Sequence, residues 1–429
     1  MAEHDPRHEL SPDRESPELA PPSLNKAPWL TRPETVRVFA ALSGDTGATR
    51  AVGGAVRDAL LGLSVSDVDF ATTIQPERVI ARARKAGLKA IPTGLAHGTV
   101  TVVADGAFFE VTTLRRDVET FGRHATVAFT EDWAEDAARR DFTINALYAD
   151  SDGTLFDPLG GYPDLVAGRV RFIGDPVQRI KEDYLRILRF FRFNASYGRG
   201  AFDAEGLSAC VRERKGLAKL SAERVASELK RLMVAPRAGE AVSVLFDHGL
   251  LCDILGSVPQ LSRFDRLVEI EAALDREPDA ILRVAALAVF VPEDAKRLAR
   301  RFKLSNAEQA LLALAGAPFD DALPDEAAAK RKLYRLGPDD YAARVLLTWA
   351  TRAAPATDPD WRRAATLTER WEAPVFPLRG PDITALGDFS GPQIGEMLRA
   401  VEQRWIEDSF RQDRDELLAL AKGLAAERA

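Results

Sequence analysis

The sequence predicts an α+β chain: a mixed sheet with helices in the N-terminal part, followed by an all-helical C-terminal region. Two observations carry this. Within residues 31–155, HGTVTVVADG and AFFEVTTLR alternate apolar and other residues with the period of two that a strand face requires, while PERVIARARKAGL in the same region spaces its apolar residues three and four apart. From about residue 170 the period-two signal fades, and DYLRILRFFRFNASYG, SAERVASELKRLMV and IGEMLRAVEQRWIED keep only helical spacing.

Length and composition narrow the function classes. A chain of 429 residues accommodates two to four domains at roughly 150 residues each. Residues 1–30 are polar and Pro-rich with no apolar core, and read as a disordered leader rather than a signal peptide. The longest apolar run, Val284–Val291, is far short of the ~20 residues of a membrane span, so no membrane association is expected. Two cysteines, Cys210 and Cys252, build no disulfide framework and suit a reducing cytoplasm. The five histidines show no metal-ligand spacing. A net charge of −7 speaks against a broad nucleic-acid footprint, yet basic clusters stand at 179–193 and 295–305.

Taken in order, TRAVGG reads as a strand ending in a turn, AVRDALLG as a short helix and SDVDFATT as a second strand. In a strand, Asp67 and Asp69 share one face with Val68 turned the other way. Adjacent carboxylates repel and raise one another's pKa; a divalent cation removes that repulsion, and hard oxygen ligands suit Mg²⁺. Gly53 and Gly54 let the backbone approach a phosphate. A helix starting near Ala55 offers free N–H groups to the same anion, and Arg57 adds a charged fork. Each feature alone fits a plain turn or a solvated strand face; their joint spacing points to a nucleoside triphosphate with bound metal.

The stretch GGAVRDALLG…SDVDF resembles the signature of the class II tRNA nucleotidyltransferase (CCA-adding enzyme) and bacterial poly(A) polymerase family. RRDFTINALY (139–148), DPLGGYPDL (157–165), EDYLRILRFFRF (182–193) and SAERVASELKRLM (221–233) are similar to its further motifs, in the family's order. The resemblance implies a nucleotidyltransferase palm at 31–155, a nucleotide-selecting helical neck at 156–235, a helical body at 236–315 and a tRNA-binding helical tail at 316–429. It implies C, C and A addition to tRNA from CTP and ATP, Mg²⁺ held by Asp67 and Asp69, and Glu110 as a third carboxylate. Poly(A) synthesis, a partial CC- or A-adding activity, and a noncatalytic RNA-binding protein are the alternatives. No obligate protein partner is evident.

The resemblance also assigns Gly54, Arg57 and Arg140 to the nucleotide. Asp141 and Asn145 fit caps or structural hydrogen bonds equally well. Asp183 and Arg186 are three apart and, on one helix, meet on one face. The carboxylate accepts from an amino group while the guanidinium donates to a ring nitrogen, so the pair reads cytosine and adenine but not uracil or guanine. Arg189 and Arg192 are expected to contact the triphosphate or orient Asp183. The segment 114–133 matches a flexible loop of the family and also fits a plain connection. Residues 283–296 lack the His-Asp pairs of members with a phosphohydrolase domain, so no phosphatase activity is expected.

Overall fold

Val68, Phe70, Phe109 and Val111 are all buried, and they dictate how the sheet is built. The computed structural model describes residues 22–43, 47–121, 124–317 and 325–426. Its strands are β1 (Thr49–Val52), β2 (Asp69–Thr72), β3 (Lys89–Gly94), β4 (Thr99–Ala104), β5 (Ala107–Thr113), β6 (Arg115–Phe121), β7 (His124–Phe129), β8 (Tyr148–Ala149) and β9 (Leu155–Phe156). Seven form one sheet in the order β3-β4-β5-β2-β1-β8-β9, and β6 pairs with β7 separately. The β2–β5 pair is parallel; the other named pairs are antiparallel. The architecture is therefore α+β, as the sequence predicts.

One sheet face is apolar and covered. Phe39, from the helix Pro33–Leu42, meets Phe70 edge-on at 4.9 Å, and Phe70 meets Phe109 at 5.8 Å. Fully burying each such ring contributes on the order of 1.5–3 kcal/mol. The alternate residues of β2 and β5 project from the opposite face, where Asp69, Phe108 and Glu110 remain exposed.

Two expectations are corrected here. The leader ends before residue 30: Leu24, Trp29 and Leu30 are buried, and the Leu24 N–H donates to Gly153 O at 2.8 Å. Gly153 makes the approach possible, because a Cβ there would sit 2.2 Å from Asn25 N. Residues 1–21 lie outside the described residues. The segment 114–133 is not an unpatterned loop: β6 and β7 within it form an antiparallel hairpin, with a register shift between Asp117 and Glu119.

From Gly161 onward the named elements are all helices, and the chain divides into compact units at Lys219/Leu220. In the C-terminal unit, Arg283 Nε donates to Glu271 at 2.7 Å inside the core. Part of the basic run 295–305 is structural. Arg297 donates to Leu255 O at 2.8 Å and Arg301 to Ile254 O at 2.6 Å, capping the helix Leu250–Leu255. Near the C-terminus, Ile383, Met397, Val401, Trp405 and Leu417 form a small core of their own. The helix Gly391–Glu407 opens with a Ser390/Gln393 capping box, so the Gly-Pro turn there has an ordinary helix start as its structural role.

Candidate active site

β2 begins at Asp69, so Asp67 stands just before the strand instead of within it. The alternation persists nonetheless, with Val68 and Phe70 buried and both aspartates exposed. Phe70 pairs with Val111 across the parallel ladder. The preceding residues, Asp69 and Glu110, therefore lie side by side on the open face. Asp69 touches solvent but is crowded by protein. That desolvation, then the Glu110 charge, push its carboxyl up to about 6, with Arg140 opposing and Asp67 adding to the rise. Three mutually repelling carboxylates with water access match a hard divalent cation that keeps waters and phosphate oxygens in its shell. Among the described residues no three acidic, histidine or cysteine side chains close into a preformed metal cage.

Gly53 follows β1 with φ 71° and ψ −119°, a conformation open essentially to glycine alone. A Cβ there would approach Arg140 Nη1 to 3.8 Å, so the glycine leaves that face of the guanidinium clear. The next helix runs Gly54–Leu60, starting one residue earlier than expected.

Arg57 departs from expectation. It is buried, and its guanidinium donates to Asp58 at 2.9 Å, Asn145 Oδ1 at 2.5 Å and Tyr197 OH at 2.6 Å while lying over the Tyr197 ring. It is an internal tie more than an open phosphate fork, and its charge acts from behind Gly54.

Arg140 is held by Asp136 at 3.1 Å and by Tyr148 OH at 3.2 Å, close enough to Asp69 to lower its pKa. Asp136 also accepts from Arg139 and from Tyr148 OH. Burial would raise its pKa, but Arg140 and Arg139 hold it below the usual carboxylate range. Asp136 was not singled out in the sequence. The available signal is its position three and four residues before Arg139 and Arg140 on one helical turn.

Arg189 donates from Nε to Asp141 at 2.7 Å. Asp141 also accepts from Asn145 Nδ2 and the Phe142 N–H, each at 2.9 Å. A buried relay thus runs Arg189–Asp141–Asn145–Arg57–Tyr197 and ties RRDFTIN to the helix after Gly53 and to the helix Leu185–Tyr197. Arg192 lies over the Phe193 ring at 4.2 Å.

DPLGG is a scaffold. Asp157 accepts from the Gly161 and Tyr162 N–H groups at 2.8 Å each, and a Cβ on Gly161 would sit 2.2 Å from Thr143 O. Gly161→Ala is therefore expected to cost about 2–3 kcal/mol, lowering the melting temperature by roughly 5–10 °C. An unchanged melting temperature would show that this backbone contact is slack.

Asp183 and Arg186 do not share a helix face. Asp183 ends the helix Pro176–Glu182 in extended conformation (φ −152°), and its Oδ1 accepts from the Leu185 N–H at 3.1 Å to start the next helix. Arg186 donates from Nη1 to Glu182 Oε2 at 2.5 Å and to Arg179 O at 2.7 Å. Arg179, bonded to the same Glu182, donates to the carbonyls of Arg139 and Arg140. Arg186 thus lies against the segment that carries Arg140, its Nη2 donating to Arg139 O at 3.4 Å.

The chain is similar to known proteins over most of its length. Residues 49–171 match a family described as the poly A polymerase head domain, and residues 201–264 one described as a probable RNA and SrmB-binding site of polymerase A. The mitochondrial CCA tRNA nucleotidyltransferase 1 of Mus musculus is 37% identical over 388 residues, covering 87% of this chain and 86% of the mouse protein. The CCA-adding enzyme of Geobacillus kaustophilus is 32% identical, covering 86% of this chain and 91% of the relative. Among solved structures, the Bacillus stearothermophilus CCA-adding enzyme in complex with CTP superposes with a TM-score of 0.70 at 27% identity, covering 92% of this chain and 98% of that one.

Proposed function

The chain belongs to the family of CCA-adding tRNA nucleotidyltransferases, and from that premise we propose that it adds C, C and A to tRNA 3′ ends from CTP and ATP without a nucleic-acid template. The observation that carries the reading is the convergence of Asp67, Asp69 and Glu110 on one open sheet face, with Arg140 beside them and Arg186 against the Arg140 segment.

In this reading the RNA 3′-hydroxyl attacks the α-phosphorus of the nucleotide. The P–O bond to pyrophosphate breaks as the new phosphodiester forms, and the hydroxyl proton passes to solvent water. A divalent cation bound at Asp67 and Asp69, Mg²⁺ by the hardness of its ligands, supplies charge neutralisation for the attacking and leaving oxygens. Arg140, kept in place by Asp136 and Tyr148, faces the phosphates across Gly53. Glu110 adds negative charge beside Asp69 and strengthens the pull on a divalent cation there. Asp183 accepts from the exocyclic amino group of cytosine or adenine, and Arg186 donates to the adjacent ring nitrogen once released from Glu182. Uracil and guanine present the opposite groups. In addition, Arg189 and Arg192 carry positive charge on the same helix, and Arg189 braces it through Asp141. The compartment we propose is a reducing, cytoplasmic one, supported by two unpaired cysteines; the mouse relative carries "mitochondrial" in its name. No described helix is long and apolar enough to cross a membrane.

Nucleotide-by-nucleotide extension tests the reading. A tRNA lacking its terminal triplet should gain two residues with CTP alone, three with CTP and ATP, and then stop. Open-ended A incorporation would move the assignment to poly(A) synthesis. Asp183→Ala should reduce discrimination between CTP and UTP by roughly 10- to 100-fold, the equivalent of one unsatisfied buried polar group. Undiminished discrimination would remove Asp183 from base reading.

A further inference from the structure

We infer that the open face of β3, β4 and β5 is a binding strip for the unpaired 3′ end of the RNA substrate, with Phe108 as its stacking platform. The inference rests on the function proposed above and extends it to the second substrate.

The strand order sets the argument. The phosphate-side and base-side candidates come from the β1/β8 side of Asp69: Gly53 and Gly54 follow β1, Arg140 packs on Tyr148 of β8, and Arg186 lies against Arg140's segment. In an in-line displacement the attacking and leaving oxygens stand on opposite sides of the phosphorus. The RNA end therefore arrives from the β5 side, beyond Glu110.

The register shows what it meets there. Thr101 pairs with Glu110 and Ile91 with Thr101, forming one row that ends at the acids. The neighbouring row is Lys89–Val103–Phe108. Phe108 and Glu110 are two residues apart on β5, so their side chains share a face roughly 7 Å apart along the strand. Phe108 is 68% exposed, the highest among the large apolar side chains of this sheet. Val103 beside it and Ile91 are half-buried, and Lys89 at the row's far end is exposed. Lys89 lies two strands from Phe108, about 10 Å away. An exposed Phe alone would be unremarkable; this one lies on the acidic face itself, next to Glu110, with a cation at the end of its row. The three acids repel a phosphate backbone, so the RNA end is held here through its bases. Base–aromatic stacking holds single strands without regard to sequence. Lys89 then takes a backbone phosphate farther from the acids.

The test uses the full chain and a tRNA lacking its terminal triplet, with 2-aminopurine as its last, unpaired nucleotide. Binding should quench the probe in wild type and in Phe108→Trp, but leave it bright in Phe108→Ala. Phe108→Ala should lower kcat/KM for tRNA by roughly 10- to 100-fold, with KM for CTP and the melting temperature unchanged. Phe108→Trp should restore most of the rate. Equal quenching in Phe108→Ala overturns the inference. So does a loss that falls on KM for CTP, or one that persists with a tRNA trimmed of its unpaired 3′ nucleotide. Because quenching needs no turnover, a wild-type protein that binds tRNA without extending it would count against CCA addition while still testing the strip.

Discussion

Asp69→Asn is expected to reduce nucleotide addition by at least about 1,000-fold, on the order of 4 kcal/mol of barrier, while tRNA affinity stays close to wild type. Asparagine preserves shape and hydrogen bonding but removes the charge that grips a cation. The acidic environment sharpens the expectation. Desolvation and the Glu110 and Asp67 charges hold the Asp69 carboxyl near 6, so protons compete with the cation at mildly acidic pH. At limiting Mg²⁺ the rate should rise with pH through about 6, and saturating Mg²⁺ should move that limb to lower pH. The stability sign follows from the raised pKa. The protonated carboxyl suits the fold, so its contribution is present below the unfolded value and is lost as pH rises through about 6. A bound cation offsets that loss. The thermal shift produced by Mg²⁺ should therefore be larger near pH 7.5 than near pH 5, and should nearly vanish in Asp69→Asn. A pH-independent shift, or turnover that survives the substitution, would reject the cation site.

Asp141→Asn should be the most damaging change to the scaffold. It removes the negative charge that Arg189 donates to at 2.6–2.7 Å. Breaking a fully buried pair costs about 3–5 kcal/mol; the partial exposure of Arg189 reduces the expected cost to about 2–3 kcal/mol, a fall of roughly 5–10 °C in melting temperature. Burial alone would raise the Asp141 pKa, but Arg189, Asn145 and the Phe142 N–H hold it below the usual carboxylate range. The wild-type advantage is then present throughout neutral pH and is lost only as pH falls below the normal carboxylate range. Adding Arg189→Met to Asp141→Asn should recover part of the loss, because the positive charge is then removed along with the negative one. Additive effects of the two substitutions would show that the pair is not coupled. Since the relay also anchors Arg57 and the helix Leu185–Tyr197, KM for both nucleotides should rise together in Asp141→Asn.

Local chemistry made much of this legible in one dimension. The alternation of SDVDF required an apolar side chain between two outward carboxylates, and Val68 is buried between Asp69 and Asp67 as that pattern demands. The Gly53-Gly54 pair marked a backbone able to approach a phosphate closely. The change from period two to helical spacing marked where strands stop. These signals survive because each depends on residues within a few positions of one another.

Other features were decided only when distant segments met. EDYLR reads as continuous helix, yet Asp183 leaves helical geometry to cap the next one, so it does not share a helix face with Arg186. Arg57 looked like an open phosphate fork until Asn145 and Tyr197, 88 and 140 residues away, occupied its donors. Glu110 became the neighbour of Asp69 only through the parallel β2–β5 register. Sequence by itself thus determined which residues carry charge, where glycine is required and which faces are apolar, since these follow from side-chain chemistry and backbone sterics. Tertiary structure alone decided which charges neutralise one another, because ion pairing and desolvation depend on separation in space and not on position in the chain.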